Sequence, residues 1–282
     1  MLRIGTCSWK YNSWKGIIYP VKDDINYLKE YSKHYKTVEV DQWFWSLFGN
    51  KKVLLPKDTD VKAYTKSVPD NFKFTIKIPN SITLTHLYNR DKKSLLKINP
   101  HFFNPELMET FLKSLKPISK KIGVLMFQFE YLNRQKMSGL QEFLDRFEAF
   151  YSNVKSKYKF GLEIRNPNYL KKPLFEFINE NKLAMVFLQG YYMPPIWNVF
   201  NEYKDYIKDT VVIRLHGPDR SGIEKITGGN WSKIVAPKDE ELNKVSEIVH
   251  YFKNKKVDVY LNVNNHYEGS APLTIKKLQN LL

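Results

Sequence analysis

The chain has 282 residues, of which 43 % are hydrophobic and 26 % are charged, and this composition excludes a disordered or collagen-like protein. Its single cysteine, Cys7, excludes an internal disulfide framework, and no run approaches the roughly 18 apolar residues that span a bilayer. The formal net charge of +16 comes almost entirely from lysines spread along the chain, which favours a lysine-rich surface over a dedicated nucleic-acid footprint. With no signal-peptide pattern and no linker, we expect a cytoplasmic protein with one domain over residues 1–282.

Short apolar runs alternate with amphipathic stretches from one end of the chain to the other. The runs are rich in Val, Ile, Phe and Tyr, as buried parallel strands are. Between them, apolar residues recur at helical spacing, as at Leu140, Phe143 and Phe147, and Asn104 before a proline predicts a helix start. The predicted strands cover residues 2–7, 37–41, 72–78, 122–129, 159–164, 183–188, 211–216 and 257–263.

Eight strands that alternate with helices predict an α/β fold, a single (β/α)₈ barrel of the TIM type. A doubly wound open sheet is the alternative, because it gives the same alternation. The connection between residues 188 and 211 is expected to be irregular, because Met193-Pro194-Pro195 would interrupt a helix there.

Polar side chains follow most of the predicted strands at their C-terminal ends, where the loops of such a barrel converge on one mouth. Glu163 and Arg165 are two residues apart, as are Arg214 and His216, so each pair shares one face of its strand. The full set of candidate site residues is Glu39, Lys77, Gln128, Glu163, Arg165, Arg214, His216, Asn264, Asn265 and His266.

Two interpretations of this set are open. The two glutamates can neutralise the cations as internal ion pairs, because burying an unpaired charge is costly. Alternatively, the set surrounds a ligand, and the recurrence of polar side chains at the same end of six strands favours this pocket.

The composition of the pocket predicts an anionic ligand, phosphorylated or carboxylated, and an enzyme that hydrolyses or otherwise processes phosphate esters. Three cations would hold the anion and three amides would orient the rest of the ligand: Lys77, Arg165 and Arg214, and Gln128, Asn264 and Asn265. Glu39 or Glu163 would be the general acid or base, with His216 and His266 as alternatives.

Three further features each have two interpretations. The glycine-rich segment 217–231 is either a phosphate cradle or lid, or an ordinary flexible loop. Cys7 is either a nucleophile or a packing residue, and the aromatic residues near the mouth either stack on a ligand or pack. His216 and His266 with Glu39 or Glu163 could build one metal site, but no motif has metal-ligand spacing, so we predict neither a metal nor a cofactor.

Two other classes of function remain as alternatives. One is a nucleic-acid-binding or DNA-repair-associated protein that uses a lysine-rich surface beside the mouth. The other is a non-catalytic binding module. No membrane partner is predicted, and the sequence does not indicate an oligomeric state.

Motifs along the whole chain resemble the YecE-like family, also described as domain of unknown function 72. The resemblance begins at Gly5-Thr6-Cys7-Ser8-Trp9 and ends at segment 264–272, which reads Asn-Asn-His-Tyr-Glu-Gly-Ser-Ala-Pro. Between them it includes segments 37–40, 72–79, 123–129, 163–167 and 214–217. The resemblance implies a TIM-type barrel and implies no activity. Segments 41–45 and 189–195 depart from the family pattern, which implies a different ligand on that side of the mouth.

Overall fold

A computed structural model describes residues 1–48, 52–88 and 96–282 of the protein. The sheet has eight strands, and each begins and ends within two residues of its predicted bounds. The strands are β1 (Leu2–Thr6), β2 (Thr37–Val40), β3 (Lys73–Lys77), β4 (Ile122–Gln128), β5 (Phe160–Glu163), β6 (Ala184–Gly190), β7 (Thr210–Gly217) and β8 (Asp258–Val263). They are parallel and lie in the order β1-β8-β7-β6-β5-β4-β3-β2, which confirms the predicted barrel.

Helices follow the strands and cover the outside of the sheet. Asn104 begins one of them as predicted, because its side-chain oxygen accepts a hydrogen bond of 2.8 Å from the Leu107 N–H. The helices are α1 (Tyr27–His34), α2 (Asp58–Ser67), α3 (Asn80–Thr83), α4 (Pro105–Ser114), α5 (Leu140–Tyr151), α6 (Lys172–Glu180), α7 (Ile196–Tyr203), α8 (Arg220–Thr227), α9 (Asp239–Asn254) and α10 (Ala271–Gln279). Five short 3₁₀ turns and a ribbon of Leu47–Phe48 with Lys52–Val53 complete the described elements.

The first and last strands of the sheet order, β1 and β2, meet through a side chain. The Tyr31 hydroxyl accepts a 2.8 Å hydrogen bond from the Thr6 N–H and donates a 3.0 Å bond to the Thr37 carbonyl. Gly5 makes this approach possible, because a Cβ there would lie 2.0 Å from the Thr37 carbonyl oxygen. A buried tyrosine from α1 therefore joins the two edges that turn the sheet into a barrel.

Two segments differ from their predicted form. The two prolines before α7 precede the helix instead of interrupting it, so the irregular part of this connection is limited to residues 191–195. The glycine-rich segment after β7 is not all loop, because α8 lies inside it. The Asp219 side chain caps α8 at the Gly222 N–H, and Gly228 ends it in the left-handed conformation.

Apolar side chains form two cores. The larger core lies between the sheet and the helices, and the smaller one fills the barrel at the N-terminal ends of the strands. The smaller core consists of Val124, Met126, Ala184, Val186, Val212 and Tyr260. No helix among the described residues is long and apolar enough to cross a lipid bilayer.

Candidate active site

Above the smaller core, the inward-facing positions of the strands change from apolar to charged. The alternation of a strand places Arg214 on the same face as Val212, and Asn262 on the same face as Tyr260. Register then sets the neighbours: Asn262 lies beside Arg214, and Gln128 lies beside Glu163. These register positions place Arg214, Glu163 and Gln128 in one layer of the barrel interior.

Arg214 is the centre of this charged layer and is fully buried. Its guanidinium binds Glu39 through two hydrogen bonds of 2.7 Å, and it also donates to Glu163 and, at 3.3 Å, to the Gln128 side chain. Burial opposes the charged guanidinium, but the two carboxylates hold the pKa of Arg214 well above its usual range. Of the two interpretations of the sequence, these contacts match the internal ion pairs for Arg214, because both carboxylates are already bound to its guanidinium.

The buried glutamates are held by further groups. Glu163 also accepts a 2.9 Å hydrogen bond from Arg165. Burial would raise the pKa of Glu163, but Arg214 and Arg165 together hold it below its usual value. The Asn262 amide connects Glu39 at 3.4 Å to the Thr75 hydroxyl at 2.9 Å. With Gln128 of β4, the network thus extends across six strands, β2, β3, β4, β5, β7 and β8.

Arg165 differs from Arg214 because it reaches solvent. Its side chain is 27 % exposed, and its guanidinium lies 5.0 Å from the centre of the Tyr191 ring. Only its Nε donates to another of the described residues, so the two terminal amino groups remain available to a ligand. Arg165 lines a cleft of 730 Å³, together with Glu130, Tyr131, Pro167, Asn168, Leu188, Tyr191, Tyr192 and Met193.

Lys77 is the third cation at the mouth. Its ammonium lies 3.8 Å from a Glu39 oxygen that Arg214 already occupies, and 5.0 Å from the centre of the Phe44 ring. Burial and the charge of Arg214 lower the pKa of Lys77, and the nearby carboxylates only partly oppose this.

His216 lies between two groups that the sequence did not connect to it. Its Nε2 is 3.5 Å from the Cys7 sulfur, and its Nδ1 is 3.1 Å from the Tyr191 hydroxyl. Burial and the charge of Arg214 hold the pKa of His216 well below its usual value, whereas burial and Glu39 raise the pKa of the Cys7 thiol. At neutral pH the pair is therefore an uncharged imidazole beside an uncharged thiol.

Cys7, Glu39 and His216 offer three possible metal-ligand atoms within 4.8 Å of one another. Both oxygens of Glu39 are bound to Arg214, however, and the Lys77 ammonium is 3.8 Å away. Two cations against the carboxylate oppose a divalent ion electrostatically. This donor set does not suit a metal ion.

The remaining predicted residues lie in the loop after β8. His266 contacts Glu224 of α8 at 3.0 Å, and the Asn264 side chain accepts a hydrogen bond from the His266 N–H. Asn265 accepts a 2.9 Å hydrogen bond from the Ala271 N–H at the start of α10. These contacts fix the conformation of the loop. None of the three residues has a described contact with the Arg214 network, so their role as site residues stays a prediction.

Tyr191 is a site residue that the sequence analysis missed. It contacts both His216 and Arg165, and it has a left-handed backbone conformation with φ of 53°. The only available signal was the departure of segment 189–195 from the family pattern.

Comparison with known proteins agrees with the fold. The model of the family "Protein of unknown function DUF72" matches residues 3–282. A DUF72 protein from Enterococcus faecalis V583, EF0366, is 21 % identical with a TM-score of 0.68, covering 100 % of this chain and 95 % of that one. The DUF72 protein TM1631 from Thermotoga maritima MSB8 is 19 % identical with a TM-score of 0.65, covering 99 % and 97 % of the two chains. No curated protein matches the chain. The chain therefore belongs to the DUF72 family, with a TIM-type barrel.

Proposed function

We propose that the protein is an enzyme that binds a small phosphorylated or carboxylated ligand at the barrel mouth. The observation that carries the proposal is Arg165, a guanidinium with unused terminal amino groups on the wall of an open cleft. A planar guanidinium of this kind matches the geometry of phosphate and carboxylate groups. Glu163 and Tyr191 fix its position, so little side-chain freedom is lost when the anion binds.

The cleft gives the rest of the ligand a place to bind. Its volume of 730 Å³ lies within the range of about 300–1,000 Å³ that is usual for small-molecule sites. Most of its wall is apolar or aromatic. Tyr131 and Tyr192 on its rim are 60 % and 96 % exposed, so both rings are open to contact with a ligand. An anion with an attached ring or short apolar portion fits such a lining.

His216 is the best-placed proton acceptor in this site. It is held uncharged, and it lies beside the mouth in contact with both Cys7 and Tyr191. Glu39 and Glu163 are bound by arginines, which favours a positioning role for them over proton transfer. General base catalysis by His216 is therefore the chemistry that we assign to the site.

Thermal unfolding of the wild type and of Arg165→Gln, in phosphate or chloride at equal ionic strength, tests the proposal. Phosphate should raise the Tm of the wild type, because a ligand that binds only the folded state stabilises it. The variant should lose this increase. Arg146→Gln is the matched control, because Arg146 is a half-exposed arginine on α5 that pairs with Glu142. A wild type that does not respond to phosphate or to small carboxylates would contradict the proposal.

Nucleic-acid binding is a second candidate, and the distribution of charge favours it. The seven segments that enter β2 to β8 contain 16 lysines and five carboxylates, a net charge of +11 out of the total of +16. This surface lies at the opposite end of the barrel from the mouth, not beside it. The segments are residues 33–36, 66–73, 116–121, 153–159, 180–183, 204–209 and 253–258.

Salt dependence tests this second candidate. If the surface binds nucleic acid, log affinity should fall with log salt with a slope of about −0.9 for each phosphate contacted. Replacing four lysines of this end with glutamate should abolish binding to a DNA duplex, whereas four replacements near the mouth should not. The two sets are Lys155, Lys157, Lys255 and Lys256, and Lys10, Lys22, Lys225 and Lys233, all exposed. If both sets of replacements weakened binding to the duplex equally, the effect would reflect net charge alone and would contradict a binding surface at this end of the barrel.

A further inference from the structure

Among the described residues, two lysines are buried: Lys77 at the end of β3 and Lys121 just before β4. Their surroundings differ. The Lys121 ammonium donates hydrogen bonds of 3.1 and 2.6 Å to the carbonyls of Thr65 and Val68, and lies 3.3 Å from Asp70. The Lys77 ammonium makes no hydrogen bond with any residue that the structure describes. The two side chains are similarly buried, at 8 % exposure for Lys121 and 11 % for Lys77. Lys121 is therefore a satisfied structural cation, whereas Lys77 has no described acceptor and its side chain is 11 % exposed at the mouth.

An ammonium group has three N–H donors, and a largely buried ammonium with no protein acceptor loses much of its hydration, which is unfavourable. Two arrangements lower this cost. Either a ligand accepts the hydrogen bonds, or the group gives up its proton and becomes a neutral amine. The neutral amine is also a nucleophile toward carbonyl carbon.

The surroundings of Lys77 favour the second arrangement. The pKa of Lys77 is lowered by burial and by Arg214. Glu39 opposes the shift from 3.8 Å, but it is already neutralised by two hydrogen bonds from Arg214. The charged and titratable groups that act on Lys77 from the neighbouring strands are Glu39 and Asp41 of the β2 end, Glu163 of β5, Arg214 and His216 of β7, and Cys7 of the β1 end.

We propose that Lys77 forms an imine with a carbonyl group of the anionic ligand. This inference rests on the proposed function, and it narrows the substrate class to aldehydes or ketones that carry a phosphate or carboxylate. The lysine nitrogen attacks the carbonyl carbon, forms the N–C bond and loses a proton, while the carbonyl oxygen gains one. The hydroxyl group of the carbinolamine then takes up a proton and leaves as water, while the nitrogen lone pair forms the C=N bond and gives a protonated imine. No oxidant or reductant is needed.

Asp41 is the carboxyl group that can supply the proton for the loss of water. It follows β2 directly, and it forms no ion pair with any described residue. Burial raises the pKa of Asp41, which favours a protonated carboxyl there, whereas Glu39 and Glu163 accept hydrogen bonds from arginines.

Reductive trapping tests the proposal. We would incubate the full-length protein with glyoxylate, an aldehyde that carries a carboxylate, and with cyanoborohydride, which reduces an imine to a stable carboxymethyl-lysine. Peptide mapping then gives the rate at each lysine. Lys77 should react faster than exposed Lys120, because a lowered pKa leaves a larger fraction of the amine neutral at a given pH. Lys121 is the internal control for burial and should not react.

The pH dependence of trapping adds a readout that a structural role would not affect. Labelling of Lys77 should reach its half-maximum at a lower pH than labelling of Lys120, because the pKa of Lys77 is lowered. Asp41→Asn should slow trapping at Lys77 and leave the rate at Lys120 unchanged. Equal rates or equal midpoints for Lys77 and Lys120 would overturn the proposal.

The same samples separate this proposal from the proposed function. If phosphate stabilises the protein through Arg165 but Lys77 is not trapped, the anion site stands and the imine is wrong. If Lys77 is trapped but neither phosphate nor carboxylates change the Tm, the amine chemistry stands and the anion site is wrong.

Discussion

The two ends of the barrel interior are built from the same eight strands, but one is filled by apolar side chains and the other by charged and polar ones. At the N-terminal end, apolar side chains and Tyr260 fill the barrel, and Gly123 and Gly161 leave room for them. At the C-terminal end, the interior contains a buried arginine between two carboxylates, and a thiol beside an imidazole. The apolar end gains stability from packing, whereas the charged end requires every partner to be in place. The N-terminal half of each strand therefore contributes mainly to packing, and the C-terminal half supplies the polar groups of the candidate site.

The charged end should be the more sensitive of the two to a single substitution. Arg214→Met would leave Glu39 and Glu163 buried without their shared guanidinium. We expect a loss of about 3–5 kcal/mol in the free energy of unfolding, measured by urea denaturation. The triple variant Arg214→Met, Glu39→Gln, Glu163→Gln should recover much of this loss, because it leaves no buried charge. A single variant within 1 kcal/mol of the wild type would show that the pairing contributes little.

A packing change should test the apolar end. A Cβ at Gly123 would lie 2.7 Å from the Tyr260 hydroxyl oxygen, so one of the two must move. We expect Gly123→Ala to cost about 1–3 kcal/mol, less than the loss at Arg214. Gly139→Ala is the matched control, because no atom lies within 4 Å of a Cβ there. An effect at Gly139 as large as that at Gly123 would contradict packing as the cause.

Acid should destabilise the charged end through His216. The folded protein holds the pKa of His216 below its unfolded value of about 6.5, so the unfolded chain binds more protons as the pH falls. Stability should decrease from about pH 6.5 downward, by at most about 1.4 kcal/mol per pH unit for this one group. Urea denaturation at pH 7.5, 6.5 and 5.5 measures the slope. His216→Gln should flatten it, whereas His266→Gln, at a half-buried histidine beside Glu224, should change it less.

The sequence predicted the strands well and the contacts between them poorly. Buried parallel strands are continuous apolar runs, so their positions are visible in a local window. α8 was missed because Arg220–Thr227 is short, polar and contains Gly222, and its stability depends on caps at Asp219 and Gly228. Residue type and strand position placed Glu39 and Arg214 at the mouth. Their pairing joins residues 175 positions apart, which only closure of the barrel determines.

The candidate histidines show the same limit. His216 and His266 both lie near the C-terminal ends of strands, and the sequence offered them as alternatives. In the structure, His216 faces Cys7 and Tyr191, while His266 contacts Glu224 on α8. His216 is part of β7 and shares a strand face with Arg214, whereas His266 lies in the turn after β8.

The smallest expected effect concerns the outside of the N-terminal end, where a net charge of +11 is concentrated. Lysines at helix C-termini interact favourably with the helix dipole, but neighbouring lysines repel one another. Salt screens exposed charges over about 10 Å at 0.1 M, so adding sodium chloride should stabilise the protein by a few tenths of a kcal/mol. Lys155→Glu with Lys157→Glu should be at least as stable as the wild type at low salt and should gain less from added salt. Lys10→Glu with Lys22→Glu, near the mouth, is the matched control and should retain the salt response. If the double variant Lys155→Glu, Lys157→Glu were less stable than the wild type at low salt, the attraction of these lysines to the helix dipole would outweigh their mutual repulsion.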